Sequence, residues 1–180
     1  MKRPLSKIIE IPEGVNVVLD GDKVNIKGPE GEISKKFNFG KVKIELKENK
    51  IVMGNEKATK NEKKTMNTIN SHIKNMIKGV KKKYEYTLKI CFGHFPFTVK
   101  QEGKQLLIKN FLGEKTARIV EVPGGADIEI KKDIITVKSV SKELAGQASA
   151  NFEIATRIRG RDKRIFQDGI YIIEKDGKKI

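Results

Sequence analysis

The 180-residue chain has no tryptophan, one cysteine, two histidines and five prolines, and aromatic residues make up 6% of it. Each scarcity excludes something. The single thiol, Cys91, cannot close an internal disulfide, which agrees with a reducing compartment. Two histidines and one thiol leave little material for nucleophilic catalysis, which needs an activated nucleophile beside a base. So few aromatics argue against a protein that stacks many unpaired bases on aromatic platforms, and favour one that grips folded RNA or a duplex backbone. No window approaches the roughly 18 consecutive apolar residues of a membrane helix. The opening Met1-Lys2-Arg3-Pro4-Leu5-Ser6 leads into alternating apolar and polar positions, not into the apolar stretch of a secretory signal. No membrane partner is expected, and the chain is expected to be cytoplasmic.

Positive charge is plentiful. Lysine and arginine number 38 against 23 acids, a formal net charge of +15, in a chain that is 34% charged and 37% hydrophobic. A charge of this size without low-complexity tails points to a polyanionic partner, because Lys and Arg that neutralise phosphates release condensed counterions.

Laid against itself, the chain repeats. Gly21-Asp22-Lys23-Val24-Asn25-Ile26-Lys27 aligns with Gly103-Lys104-Gln105-Leu106-Leu107-Ile108-Lys109, and Gly31-Glu32 with Gly113-Glu114, at an offset of 82. Ile44-Glu45-Leu46-Lys47 matches Ile128-Glu129-Ile130-Lys131 at 84, and the segment ending Ile77-Lys78-Gly79 matches that ending Ile158-Arg159-Gly160 at 81. Loop insertions between shared elements produce such drift. Two domains follow, 1–80 and 81–180, with a basic joint at Lys81-Lys82-Lys83 and an unmatched basic tail over 160–180.

Within each repeat the hydrophobic period changes once. Val15, Val17 and Leu19, then Val24 and Ile26, alternate with polar residues around Asp20-Gly21-Asp22, which predicts a hairpin. A second hairpin is predicted around Lys47-Glu48-Asn49-Lys50, and its counterpart around Lys131-Lys132-Asp133-Ile134. Met66, Ile69, Ile73 and Ile77 then make a helical stripe, with Thr59 and Glu62 at capping-box spacing and Gly79 as the expected stop. A second helix is predicted over about Ser141 to Ile158, with two candidate buried faces, Ala150-Ile154-Ile158 and Leu144-Ala148-Ala155. Antiparallel strands followed by one helix define an α+β fold, here a tandem duplication of a small domain in which the helix covers a sheet.

Candidate chemistry is sparse, and no catalytic residue, cofactor or metal is expected. His72 lies off the apolar stripe of the first helix and is expected to be solvated. Cys91 and His94 have the spacing of half a zinc site, but no second pair stands at ligand spacing and a structural zinc needs four ligands. Cys91 is therefore expected to be a small core residue. Gly28-Pro29-Glu30-Gly31 could cradle a phosphate, yet it carries an acid, loses a donor at Pro29 and precedes strand-like sequence. It is expected to be a turn, as is Val122-Pro123-Gly124-Gly125. The paired acids Asp20 and Asp22, and Asp127 and Glu129, are expected to be solvated.

The end of the second repeat stands apart. Arg157, Arg159, Arg161, Lys163 and Arg164 fall within eight positions, and the chain's other arginines are Arg3 and Arg118 alone. The planar fork of arginine binds phosphate bidentately and stacks on bases, which lysine does not. Asp168-Gly169 is expected to turn the chain. The four apolar residues Ile165, Phe166, Ile170 and Tyr171 are too few to offset roughly 1–2 kcal/mol per residue of backbone ordering, so residues 161–172 are expected to form an extended loop ordered by binding.

The tandem repeat, the opening Glu10-Ile11-Pro12-Glu13-Gly14-Val15, Phe95-Pro96-Phe97, Asn110-Phe111-Leu112-Gly113-Glu114 and above all the run from Gly160-Arg161-Asp162-Lys163-Arg164 to Gly169-Ile170-Tyr171 resemble the archaeal and eukaryotic branch of the sixth large-subunit ribosomal protein family. The resemblance implies two copies of a small α+β domain and no enzyme activity. It also implies a place in the large subunit near the stalk base, beside the sarcin–ricin loop where translation GTPases dock. The expected partners are large-subunit rRNA and neighbouring large-subunit and stalk-base proteins, with no small-molecule substrate and no homo-oligomer. The second domain is expected to carry most rRNA contacts, through Arg157, Arg159, Arg161, Lys163, Arg164, Gln167, Tyr171, Lys175, Lys178 and Lys179. A free-standing RNA-binding regulator or a non-catalytic protein-interaction scaffold would share the charge and the repeat.

Overall fold

Residues 3–47, 49–103 and 105–180 are described by the computed structural model, which divides into two compact units, Met1–Lys83 and Tyr84–Ile180. Glu48, in an expected hairpin turn, and Lys104, in the repeat alignment, lie outside the described residues, as do Met1 and Lys2. The boundary falls three residues later than the repeat suggested, because the first helix does not stop at Gly79.

The first unit runs β1 (Arg3–Glu10), β2 (Asn16–Asp20), β3 (Lys23–Gly28), β4 (Gly31–Lys36), β5 (Lys43–Lys47), β6 (Lys50–Ala58) and α1 (Lys60–Lys81). Two three-stranded antiparallel sheets result, in the orders β1-β6-β5 and β2-β3-β4. Period-2 alternation turns Val24 and Ile26 of β3, and Ile51 and Met53 of β6, into the core. Thr59 caps α1, and the Glu62 carboxylate accepts the Thr59 N–H at 2.8 Å. The buried stripe of α1 is Met66, Ile69, Ile73, Met76, Ile77 and Val80, so Gly79 sits inside the helix among packed neighbours. Burial there outweighs the roughly 1 kcal/mol by which glycine disfavours a helix. The β3–β4 turn helps to end the helix, since the Glu30 N–H donates to the Val80 carbonyl at 3.0 Å. Gly28 lets the turn come this close: a Cβ there would stand 2.8 Å from the Val80 oxygen and 2.9 Å from its Cβ.

The second unit runs β7 (Tyr84–Cys91), β8 (Thr98–Glu102), β9 (Gln105–Lys109), a 3-10 turn (Phe111–Gly113), β10 (Arg118–Glu121), β11 (Asp127–Lys131), β12 (Ile134–Ser139), α2 (Lys142–Ala155), β13 (Gly169–Lys175) and β14 (Lys178–Lys179). Its sheets are β10-β9-β8 and β11-β12-β7-β13-β14. Through α2 the order and pairing repeat those of the first unit. Leu46 faces Ile51 as Ile130 faces Ile135, both shifted by 84.

Two expectations for this unit are corrected. The second helix ends at Ala155 instead of near Ile158, and its buried face is Ala145, Ala148, Ser149 and Phe152, which is neither candidate stripe. Ile154 is 59% exposed, and Ile158 is buried only after the chain has left the helix. Small residues bring the helix close to the sheet, and the Ser149 hydroxyl hides its polarity by donating to the Ala145 carbonyl at 2.8 Å. Thr156 marks the end: its Oγ1 donates to the Phe152 carbonyl at 3.0 Å and accepts the Ile170 N–H at 2.9 Å. The tail is also not a loop standing off the unit over 161–172. From Gly169 it is β13, paired with β7 through Gly169–Cys91, Ile170–Ile90, Tyr171–Lys89 and Ile172–Leu88, and Ile170 is 1% exposed. A free edge on β7 supplies a hydrogen-bonded ladder that a count of four apolar side chains leaves out.

Candidate nucleic-acid interface

The basic segment is the connection between α2 and β13, and it is held at both ends. Thr156 and Ile158 are buried where it leaves the helix; Asp168, Gly169 and Ile170 are buried where it enters the strand. Between them Arg157, Arg159, Arg161, Lys163, Arg164 and Gln167 are all exposed. The Asp162 carbonyl closes a turn by accepting the Ile165 and Phe166 N–H groups at 3.2 and 2.9 Å. Its carboxylate accepts from the Arg164 backbone at 2.9 Å and from its Nη2 at 2.8 Å. This pairing holds the Asp162 carboxyl below the usual range and raises the Arg164 guanidinium, while leaving that side chain 89% exposed. Gly160, five residues beyond the end of α2, takes a left-handed φ of 69° within the connection.

Phe166 is the hub of the loop. The Arg161 guanidinium lies 4.7 Å from its ring centre, and the His94 ring stacks on it at 4.5 Å with an interplanar angle of 18°. His94 belongs to the β7–β8 loop, which Asp168 ties down. The Asp168 Oδ1 accepts the Gly93 and His94 N–H groups at 2.8 and 3.0 Å, and its Oδ2 lies 2.7 Å from His94 Nδ1. Burial pushes the Asp168 carboxyl up, but the backbone N–H of His94, its ring and the Gly93 N–H outweigh burial and hold it at about 2. Asp168 and Gly169, expected to be a simple turn, are instead the clamp joining two loops and the start of β13.

Two clefts flank the loop. One, of about 710 Å³, is lined by Arg118, Ile119, Ile154, Arg157, Arg159 and Arg161, among others; a second, of about 300 Å³, includes Arg157, Lys163, Phe166 and Tyr171. Arg157 borders both. Arg118 is structurally committed, pairing with Glu114, donating to the Ala155 carbonyl at 2.6 Å and lying 4.4 Å over the Phe111 ring. No side-chain partner among the described residues engages Arg157, Arg159 or Lys163, so their donors face solvent.

The ten expected residues fall into two groups. Arg157, Arg159, Arg161, Lys163, Arg164, Gln167 and Tyr171 gather at the loop, where the Gln167 Nε2 donates to the Arg164 carbonyl and the Tyr171 hydroxyl to the Asp168 carbonyl. Lys175, Lys178 and Lys179 lie at the β13–β14 hairpin, about 20 Å further along the strand at ~3.3 Å per residue. Residue composition did not single out His94, Phe166 or Asp168 as one unit, because their partnership spans more than 70 positions. The signals were present but attached to other chemistry. The Cys91–His94 spacing is that of half a zinc site, from which no metal is expected, and it gives no hint of the His94–Asp168 contact; among the described residues no cluster of three or more His, Cys, Asp or Glu side chains is placed to hold a metal. Cys91 is half-buried on β7 opposite Gly169. His72 is half-buried, not solvated, with its ring 6.0 Å from that of Phe37. Among the described residues no helix is long and apolar enough to cross a membrane.

These features define a duplicated α+β protein whose second copy presents an arginine-rich loop between two basic clefts. Comparison with known proteins narrows the class. A family model described as ribosomal protein L6 matches residues 11–83. The chain is 46% identical to the large ribosomal subunit protein uL6 of Methanobrevibacter smithii, over 93% of this chain and 94% of that one. It is 43% identical to uL6 of Methanosarcina mazei, over 97% and 99%, and 40% identical to uL6 of Aeropyrum pernix, over 93% of each. The chain belongs to the uL6 family of large-subunit ribosomal proteins.

Proposed function

We propose that this protein is a structural, non-catalytic constituent of the cytoplasmic ribosome's large subunit, and that the loop from Arg157 to Gln167 grips large-subunit rRNA. Kinship with uL6 proteins supports the ribosomal role and, through the family resemblance, a place near the stalk base and the sarcin–ricin loop, beside the site where translation factors dock. The observation that carries the rRNA contact is the loop itself. Four of the chain's six arginines project from one exposed connection whose ends are buried, so their forks are presented with part of the ordering cost already met. Lys175, Lys178 and Lys179 make a separate, weaker contact at the hairpin.

The test has two readouts. The protein co-sediments with large subunits at high magnesium, whereas a free-standing RNA-binding regulator stays in the supernatant and a protein-interaction scaffold binds with little dependence on salt. Replacing Arg161 and Arg164 by glutamine weakens binding to rRNA fragments of many sequences, and flattens the log–log slope of affinity against salt by about 0.7–0.9 unit per charge removed. An unchanged slope in that double variant counts against the loop as the phosphate contact.

A further inference from the structure

The smaller cleft beside the arginine loop, about 300 Å³, holds more than positive charge. Ile158 and Ile170 give it a buried, apolar floor. Tyr171 is 44% exposed, and its ring lies across Gly169: a Cβ there would come within 3.2 Å of the ring atoms Cε2 and Cζ and of the hydroxyl. The hydroxyl donates to the Asp168 carbonyl at 3.4 Å, so the ring is anchored at its tip as well. Phe166 also lines the cleft, but His94 and Arg161 already engage it, which leaves Tyr171 as the aromatic surface open to an occupant. Glu153 of α2 reaches the same space. Its Oε1 accepts the Ile172 N–H at 3.0 Å, and its Oε2 has no hydrogen-bond partner among the described residues. Arg157 and Lys163 bring the positive charge.

We infer that this cleft takes one unpaired RNA base that carries an exocyclic amino group. The base stacks on Tyr171, its amino group donates to Glu153 Oε2, and the phosphates flanking it meet Arg157 and Lys163. Each part of the lining matches a different part of a nucleotide. Stacking accepts any base, because every base has a flat face. A carboxylate only accepts hydrogen bonds, so it favours the amino edges of guanine, adenine and cytosine over the carbonyl-flanked N3–H of uracil. The two cations attract the phosphates and offset the repulsion between phosphate and Glu153. A duplex does not enter a cleft whose volume is at the lower end for small-molecule sites, whereas a base splayed out of a loop or bulge does. An aromatic side chain of a neighbouring protein would cover Tyr171 but bring no anion for Arg157 and Lys163. One platform serves one base, so few aromatic residues are needed. The inference rests on the loop being the rRNA contact and adds a base-reading site to it.

RNA hairpins identical except at one stem position test this with the full-length protein. One is fully paired there, one carries an abasic bulge, and two carry a bulged cytidine or a bulged uridine. The cytidine is expected to raise affinity about five- to tenfold over the abasic bulge, and to bind at least about threefold more tightly than uridine. Tyr171→Leu removes the gain over the abasic bulge, whereas Tyr171→Phe keeps it, since the hydroxyl only anchors the ring. In Glu153→Gln the amide oxygen takes the Ile172 N–H and the amide nitrogen faces the cleft, so uridine binds at least as well as cytidine. Equal affinity for the cytidine and abasic bulges, a gain that survives Tyr171→Leu, or a cytidine preference untouched by Glu153→Gln would each overturn the base site. The fully paired hairpin keeps this separate from the phosphate contact. If its salt slope still depends on Arg161 and Arg164 while the cytidine gain is absent, the base site alone is rejected; a slope unmoved by those arginines rejects the phosphate contact.

Discussion

Asp168 shows how much one side chain can organise. Its carboxylate is 1% exposed and joins the β7–β8 loop to the entry of β13, which in turn places Phe166 and the arginines. The sign of its pH dependence follows from its pKa of about 2, below the ordinary 3.8. The ionised form is preferred in the fold, so the stabilisation is complete above about pH 4 and is lost as pH falls towards 2. That stabilisation is worth up to about 2 kcal/mol. Asp168→Asn should therefore lower the stability of the second unit by about this amount at pH 6, measured by amide exchange in β7 and β13 against denaturant. Near pH 2 the gap between the two proteins should close to well under half. A gap independent of pH would mean that the carboxylate's charge is not what holds the loops.

At the scale of elements, the β7–β13 ladder makes the arginine loop a bridge between two fixed points. Brief trypsin treatment of the free protein should cut among Arg157 to Arg164 and leave β13 in place. The nicked fragments should co-elute in gel filtration and separate only in denaturant; release of the C-terminal piece under native conditions would show that the ladder is too weak to hold it. In the first unit the equivalent test is Gly28→Ala. The added methyl meets Val80 backbone and side chain below 3.0 Å, so the turn must withdraw from the end of α1. A loss of about 1–3 kcal/mol is expected, seen as faster amide exchange in α1 with the second unit unaffected. The hairpins, the first helix and its capping box were legible in the sequence because they are local, written in period and turn chemistry over a dozen residues. The strand β13 was not legible, since its partner β7 lies about 80 positions away and backbone edges leave no compositional trace. The second helix hid its face for a related reason: Ala145, Ala148 and Ser149 are buried for their small size, which a hydrophobic stripe does not report. The arginines of the site were visible as a cluster, but the His94–Phe166–Asp168 clamp that presents them is a tertiary contact.

Across the whole molecule, net charge and the candidate site point to different units. Residues 1–83 carry 20 basic and 10 acidic residues, a net +10, while residues 84–180 carry 18 and 13, a net +5. Counter-ion release alone would favour the first unit as the RNA-binding one. Its bases, however, are 19 lysines and a single arginine, whereas five of the six arginines belong to the second unit and four of them to the loop. Long-range attraction depends on charge and is screened within a Debye length of about 8 Å at physiological salt, so the tight contact should depend on where forked donors are fixed. Two full-length variants of equal charge separate these effects. One replaces Arg157, Arg159, Arg161 and Arg164 by glutamine; the other replaces the exposed Lys23, Lys27, Lys43 and Lys47. Both should bind an rRNA fragment more slowly and less tightly at low salt. At 150 mM salt the arginine variant should lose at least about tenfold more affinity than the lysine variant, because only it removes positioned bidentate contacts, each worth about 1 kcal/mol or more. Equal losses would assign RNA binding to net charge spread over both units, and the loop would then be only one basic segment among several.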